Sequence, residues 1–321
     1  MTLVSILSQI ESKHEYIDFV IVDNAPETVH GDKCRGLAKQ FPNCRYIGLE
    51  GMRSPFLSKE MCIRAAQTEY VLVIDSHVIF QKDAILKLLS FCDSGIQTND
   101  LYHGPICFDN FGIMATHMSP AFGNNFGSWG RMLGPDKRTL DPTDYYMLPA
   151  HGMGCFFVRR DSWLGFNPAF MGFGSEEGYI HEKYRLNGRN VWSMPFLKWW
   201  HNFTDKMGTS ECDTTWECKY RNGLIAWLEV GLPIEQIDQA YGRYIKAYQA
   251  SLIKQDVLSL GIKPIPKPEG YIPFLGYPIR ILDDKNPHLR DYSEFENPVF
   301  YKDVLNSNNR STKLANLVSQ Q

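Results

Sequence analysis

The run Tyr70-Val-Leu-Val-Ile-Asp75-Ser-His77 carries an apolar stretch into a carboxylate and, two residues later, an imidazole. An unbroken run of Val, Leu and Ile reads as a strand buried on both faces, as in the parallel sheets of α/β proteins. Ligands of such sheets bind beyond the carboxyl ends of the strands. At a fraying strand end, side chains at i and i+2 can both turn toward one hard or borderline cation, offering it oxygen and nitrogen. The same spacing is met equally well by an Asp that caps the next turn and a His at the polar surface.

Several elements must present that strand end. Leu3, Ile6, Leu7 and Ile10 fall on one helical stripe within residues 2–13. Phe19–Asp23 reads as a buried strand, 32–40 as a helix and Cys44–Gly48 as a short strand. Helical spacing over 55–67 leads into the strand at 70–75, and 82–92 is again amphipathic. Strands alternating with helices at this spacing predict an α/β fold with a mixed, mainly parallel sheet flanked by helices. Between 104 and 150 the chain turns rich in Gly, Pro, Asn, Met and aromatics and loses its period. Phe122, Phe126 and Trp129, set among glycines, predict an ordered lid facing a substrate. Regular structure resumes with a strand at Gly154–Val158, a helix over 176–187, a strand at Val191–Met194 and at least two helices within 224–260. The proline- and aromatic-rich tail from 263 reads as coil wrapping the surface, with 306–321 frayed.

Composition sets the outer bounds. With 44% hydrophobic and 21% charged residues the 321-residue chain is an ordinary globular sequence, large enough to bury a sizeable core. A net charge of −3 gives no broad electrostatic claim on nucleic acid or anionic membrane. Eight cysteines at 34, 44, 62, 92, 107, 155, 212 and 218 form no Cys-x-x-Cys pair, which predicts free thiols and a reducing, cytoplasmic setting. No signal peptide is read at the start. No apolar run approaches the length of a membrane span, so no membrane partner is expected.

Taken in order, these pieces resemble a known family. Leu49-Glu-Gly-Met-Arg53, the helix after it and the Ile-Asp75-Ser-His77 strand end are similar to GT-A fold nucleotide-sugar glycosyltransferases of the family-two-like kind. The polypeptide N-acetylgalactosaminyltransferases and the viral DNA-base glycosyltransferases are the nearest in character. A second block agrees: Gly152-Met-Gly-Cys-Phe-Phe-Val158, Phe173-Gly-Ser-Glu176-Glu177, Tyr184-Arg-Leu-Asn-Gly188 and Trp199-Trp-His201. The resemblance covers residues 1–205. It implies a GT-A catalytic domain there, with a donor-binding half over 1–103 and an acceptor-side half over 104–205, followed by a helical and coil extension over 206–321.

The resemblance also implies roles. Asp75, His77 and His201 would hold a divalent cation, Mn2+ or Mg2+, that draws charge from a departing nucleoside diphosphate. One carboxylate with two imidazoles suits manganese better than calcium. Arg53 would fork to the diphosphate of a UDP-sugar, Asp23 and Asn24 would meet its nucleoside, and Ser76 joins the same donor side. Glu176 or Glu177 would hold the donor sugar or act as general base. Which of the two acts is left open, because Arg185 falls nine residues after Glu176 and eight after Glu177, wider than the family spacing. The bland alternatives are turn chemistry for Asp23 and Asn24, the helix dipole for the two glutamates and a buried structural role for His201.

Trp129, Arg131 and His151 are candidates for the acceptor side. The acceptor is a glycan, a protein or a hydroxymethylated DNA base. The last is suggested by Lys183, Arg185, Arg189, Lys198, Lys206 and Lys219, a basic density that could meet phosphates. In the family a strand precedes the first helix, whereas here the chain reads as starting at that helix, which leaves open whether that strand is absent, supplied differently or lost to a late start site. A non-catalytic sugar-nucleotide-binding module is the competing reading. A nucleotidylyltransferase would need a glycine-rich basic loop near the first strand, and none is present.

Overall fold

The computed structural model describes residues 2–10, 16–51, 53–95, 98–118, 132–133, 141, 143, 145–202, 215–269 and 271. Trp129 and Arg131, with Phe122, Phe126, Lys206 and the tail beyond 271, lie outside the described residues.

Helix α1 (Thr2–Leu7) is followed by strand β1 (Phe19–Asp23), helix α2 (Val29–Ala38), strand β2 (Cys44–Gly48) and helix α3 (Pro55–Ala65). Thr28 caps α2, accepting the Gly31 N–H at 3.2 Å. Proline at the first position of α3 loses no helical hydrogen bond there. β3 (Tyr70–Ile74) ends one residue before Asp75, and a turn through Ser76 and His77 leads into β4 (Val78–Phe80) and α4 (Ala84–Asp93). The aperiodic middle supplies only short strands: β5 (Leu101–His103), β6 (Ile106–Cys107), β7 (Ile113–Ala115), β8 (His117–Met118), β9 (Met132–Leu133) and β10 (Tyr146–Met147). Then come β11 (Cys155–Arg159), α5 (Glu176–Leu186), β12 (Val191–Ser193), β13 (Trp199–His201), α6 (Trp216–Val230), α7 (Glu235–Tyr241) and α8 (Ala247–Ser259).

The largest sheet runs β10-β12-β5-β11-β3, a second runs β4-β13-β6-β7, and β1 pairs with β2 alone among the described strands. β1–β2, β5–β12 and β6–β13 are parallel, while β3–β11 and β4–β13 are antiparallel. The sheet system is mixed. Its antiparallel share exceeds what the strand–helix alternation of the first hundred residues suggests, because β3 takes its partner from the second half of the chain. That partnership also corrects the burial expected of two strands. Only Val73 of β3 is buried and all of β1 is half-buried. Both stand at sheet edges among the described strands, where one flank lacks a neighbouring strand.

Two apolar clusters form the core. One joins Ile6 and Ile10 to Val78, Phe80, Leu88, Phe157 and Trp199, so the first helix packs under the second sheet. The other joins Phe56 and Ile63 of α3 to Tyr179 and Tyr184 of α5 and to Leu224, Trp227 and Ile237 of α6 and α7. The helices after residue 215 thus share a core with the elements before 205. The described cysteines are free, and Cys155 is fully buried. Among the described residues no helix is long and apolar enough to cross a membrane.

Gly104 sits at the closest approach of the fold. A Cβ there would lie 1.7 Å from the Leu197 carbonyl oxygen. Backbone cannot yield as a flexible side chain would, so Gly104→Ala should cost about 3 kcal/mol or more. Gly36, in α2 with nothing within 4 Å of the same position, should instead gain about 0.5–1 kcal/mol as alanine. Thermal melts of the two variants check both signs, and equal melting temperatures would contradict the packing described.

Candidate functional site

The end of β3 and the end of β13 come together. β13 pairs antiparallel with β4 so that His201 lies opposite Val78, one residue past His77. The Nε2 atoms of His77 and His201 face each other at 2.8 Å, and His201 Nε2 is 3.5 Å from Asp75 Oδ2. Each of the three residues offers a ligand atom within 4.8 Å of the other two, a set that could hold a metal ion. Two ring nitrogens aimed at one point repel unless one carries a proton or a cation sits between them, so the donor set fits a borderline divalent ion.

The surroundings are shaped to the trio. The Asp75 N–H donates to the Gly154 carbonyl at 2.8 Å. A Cβ on Gly154 would meet Asp75 Oδ2 at 3.0 Å and His201 Cδ2 at 3.3 Å, so glycine leaves these side chains their room. From α1, the Thr2 hydroxyl donates to the Ser76 carbonyl at 2.6 Å and braces the turn between the two ligands. Burial alone would raise the Asp75 carboxyl, but Lys59, then His201 and His77, hold it down at about 2. Burial, then the neighbouring His201, lowers His77, which favours the neutral ring that a metal requires.

Lys59 went unnoticed in the sequence. It is buried at 7% exposure, with Nζ 3.5 Å from Asp75 Oδ1. A signal was available, since Phe56, Lys59 and Ile63 are the buried positions of α3 and a lysine in a buried stripe demands a partner.

Glu176 and Glu177 open α5, and Glu176 is 1% exposed. The approach to them is strained. Gly172, Gly174 and the non-glycine Ser175 all adopt positive φ, with Ser175 at 70°. Asn222 of α6 clamps this loop, donating to the Met171 and Gly174 carbonyls at 2.8 and 3.1 Å and accepting the Met171 N–H at 2.9 Å. His181, one turn on, bonds through Nδ1 to the Glu177 carbonyl and faces His103 across 2.9 Å between their Nε2 atoms. Burial raises both carboxyls. Lys59 opposes the rise at Glu176, whereas at Glu177 the neighbouring Glu176 adds to it.

The donor-side candidates lie at the end of β1 and the start of α3. Asp23 accepts the Ala25 N–H at 2.9 Å and the Tyr46 hydroxyl at 2.9 Å, so it performs the turn chemistry and ties β1 to β2 as well. Asn24 Oδ1 accepts the Ser58 hydroxyl at 2.7 Å, and Arg53 pairs with Glu27 at 2.7 Å. The Ser76 residue is exposed. His151 does not line a surface. It is 1% exposed, stacked on His103, and its backbone N–H donates to His181 Nε2. Three members of the basic density are turned inward. Lys183 pairs with Glu229 at 2.8 Å, Arg185 with Glu182 at 2.8 Å, and Arg189 bonds to the Ser162 carbonyl.

Residues 1–163 match the family model described as glycosyl transferase family 2. The chain belongs to that family. The GT-A architecture of glycosyl transferase family 2 accounts for the mixed sheet with helices on its faces and the acid-bearing strand end. GalNAc-T7, solved with UDP, GalNAc and Mn2+, is similar at 14% identity and a TM-score of 0.49, over 83% of this chain and 55% of that one. The family 2 chain here therefore spans about half the length of that structure. TarS of S. aureus, in complex with UDP-GlcNAc, is similar at 15% identity and a TM-score of 0.45, over 82% of this chain and 71% of that one. The mannosyltransferase PcManGT from Pyrobaculum calidifontis, with GDP-Man and Mn2+, gives 12% identity and a TM-score of 0.43, over 84% and 73%. No curated protein matches the chain.

The glutamate pair carries a stability consequence. A carboxyl whose pKa is raised on folding stabilises the fold below its unfolded value, and that contribution is lost as pH rises through the folded value. Glu177→Gln removes the loss, so the variant should melt above the parent at about pH 8, the gap closing toward about pH 4. Melting curves at the two pH values decide it, and a gap independent of pH would refute the buried pair.

Proposed function

We propose that this chain transfers a sugar from a nucleotide donor, a UDP-sugar, to a hydroxyl acceptor with the help of Mn2+ held by Asp75, His77 and His201. The observation that carries the proposal is the convergence of those three side chains in a family 2 chain. When bound, the divalent ion supplies Lewis-acid neutralisation of the charge that gathers on a departing diphosphate. Asp75, with its carboxyl held at about 2, and His77, held neutral by burial, are ready as ligands at neutral pH. Arg53 adds a guanidinium on the donor side, and its pairing with Glu27 keeps that fork extended until a diphosphate competes for it.

Glu177 is assigned as the base toward the acceptor hydroxyl. It is the less buried of the pair, and burial with Glu176 beside it lifts its carboxyl toward the range where a base accepts a proton usefully. Glu176, behind it, holds the donor sugar. The acceptor is a hydroxyl compound, and hydroxymethylated DNA, a peptide and an oligosaccharide are the three classes to offer. DNA draws no support from Lys183, Arg185 and Arg189, which are spent within the fold.

Turnover of a panel of UDP-sugars, with and without the three acceptors, tests the proposal. Donor hydrolysis should require Mn2+, stop with chelator, and fall by about two orders of magnitude in Asp75→Ala and His201→Ala. Turnover unaffected in both variants would reject the metal assignment. Mn2+-dependent donor binding with no transfer and no hydrolysis would leave a binding module.

A further inference from the structure

Resting on the metal reading above, we infer that Lys59 is a positioning residue of this site, a built-in cation that shares Asp75 with the divalent ion and so trades metal affinity for turnover. Its Nζ lies 3.5 Å from Asp75 Oδ1, while His201 approaches the other oxygen, Oδ2, at 3.5 Å. The two oxygens of one carboxylate are divided between a fixed ammonium on α3 and the metal trio. The charges of Glu176 and Glu177, at the start of α5, also act on Lys59, so one buried amine answers three carboxylates.

The charges balance in a telling way. With all three acids ionised, Lys59 and one divalent ion together cancel them. Without Lys59 the ion would sit in a site one unit more negative and would bind harder, because like charges a few ångströms apart in a shielded site repel strongly. The same loss would free Asp75 to rotate both oxygens toward the ion and would leave the glutamates without their buried counter-charge. Lys219, half-buried over the Trp216 ring at 4.5 Å, feels the same glutamates from α6, but the ion pair with Asp75 is made by Lys59. Lys59 alone of the two can divide that carboxylate.

The test measures Mn2+ binding to the donor-free protein by the electron paramagnetic resonance of free Mn2+, alongside UDP-sugar turnover at saturating Mn2+. Lys59→Met should bind Mn2+ about tenfold tighter while its turnover number drops about tenfold or more. Lys59→Arg, which keeps the charge, should hold both within about threefold of the parent. The double variant Lys59→Met/Glu177→Gln restores the formal charge and should return Mn2+ affinity to within about threefold of the parent. A merely structural lysine would loosen metal and slow turnover together, with a matching fall in melting temperature. Parallel loss in Lys59→Met, or parent-like affinity in it, overturns the inference. Should Lys59→Met fail to fold, an affinity in Lys59→Arg/Glu177→Gln equal to the parent's overturns it instead, since that variant is one charge less negative and should bind about tenfold more weakly. If the parent binds Mn2+ no better than His201→Ala, the metal reading itself has failed and the inference falls with it.

Discussion

Two short strands, β4 and β13, pair so that His201 lies opposite Val78, and this register sets His201 beside His77. Side chains alternate faces along a strand, so a slip of one residue would turn His201 away and bring Trp200 toward the site. The register is held by burial on the same face as His201, two residues back along the strand. Trp199 is 1% exposed, its indole N–H donates to the Gly104 carbonyl at 2.8 Å, and Gly104 in turn admits the Leu197 backbone with no space for a Cβ. The buried anchor at Trp199 thereby sets the polar geometry at His201 beside it.

The second constraint is charge. Asp75, Glu176 and Glu177 gather around Lys59 in a region where unpaired carboxylates are costly. Packing for stability alone would not collect them. The strain stored at Ser175 just before the glutamates points the same way, as does the buried Asn222 that clamps that loop from α6. A fold tolerates such features where a bound cation and an incoming ligand complete the balance. Asn222 also ties the helices after residue 215 to the site, joining the polar clamp to the apolar core those helices share with α3 and α5.

Much of this was legible along the chain, for local reasons. The helices α2 to α5 were read to within three residues because their apolar stripes lie in adjacent turns. The first, by contrast, was read to 13 and ends at Leu7, and α6 starts at Trp216, before the 224 that was read. The strand end at Asp75 and His77 was legible because an apolar run and its polar stop are contiguous. Other features were misread. Lys59 was passed over although its place in a buried stripe was visible. β13 was not read as a strand, because three residues are too short to show a period. The lysines and arginines of 183–189 were counted as surface charge, since charge alone does not reveal that Glu229, Glu182 and the Ser162 carbonyl stand opposite them.

By itself, then, the order of residues determined the alternation of strands and helices, the family, and which side chains have the chemistry to hold a cation. Those properties depend on neighbours a few positions apart. Only the tertiary structure decided that His201 reaches His77 across 124 positions, that Lys59 pairs with Asp75, and that His151 is packed inside. Such contacts are set by sheet register and core packing, where the partner of each residue is chosen by the shape of the whole fold.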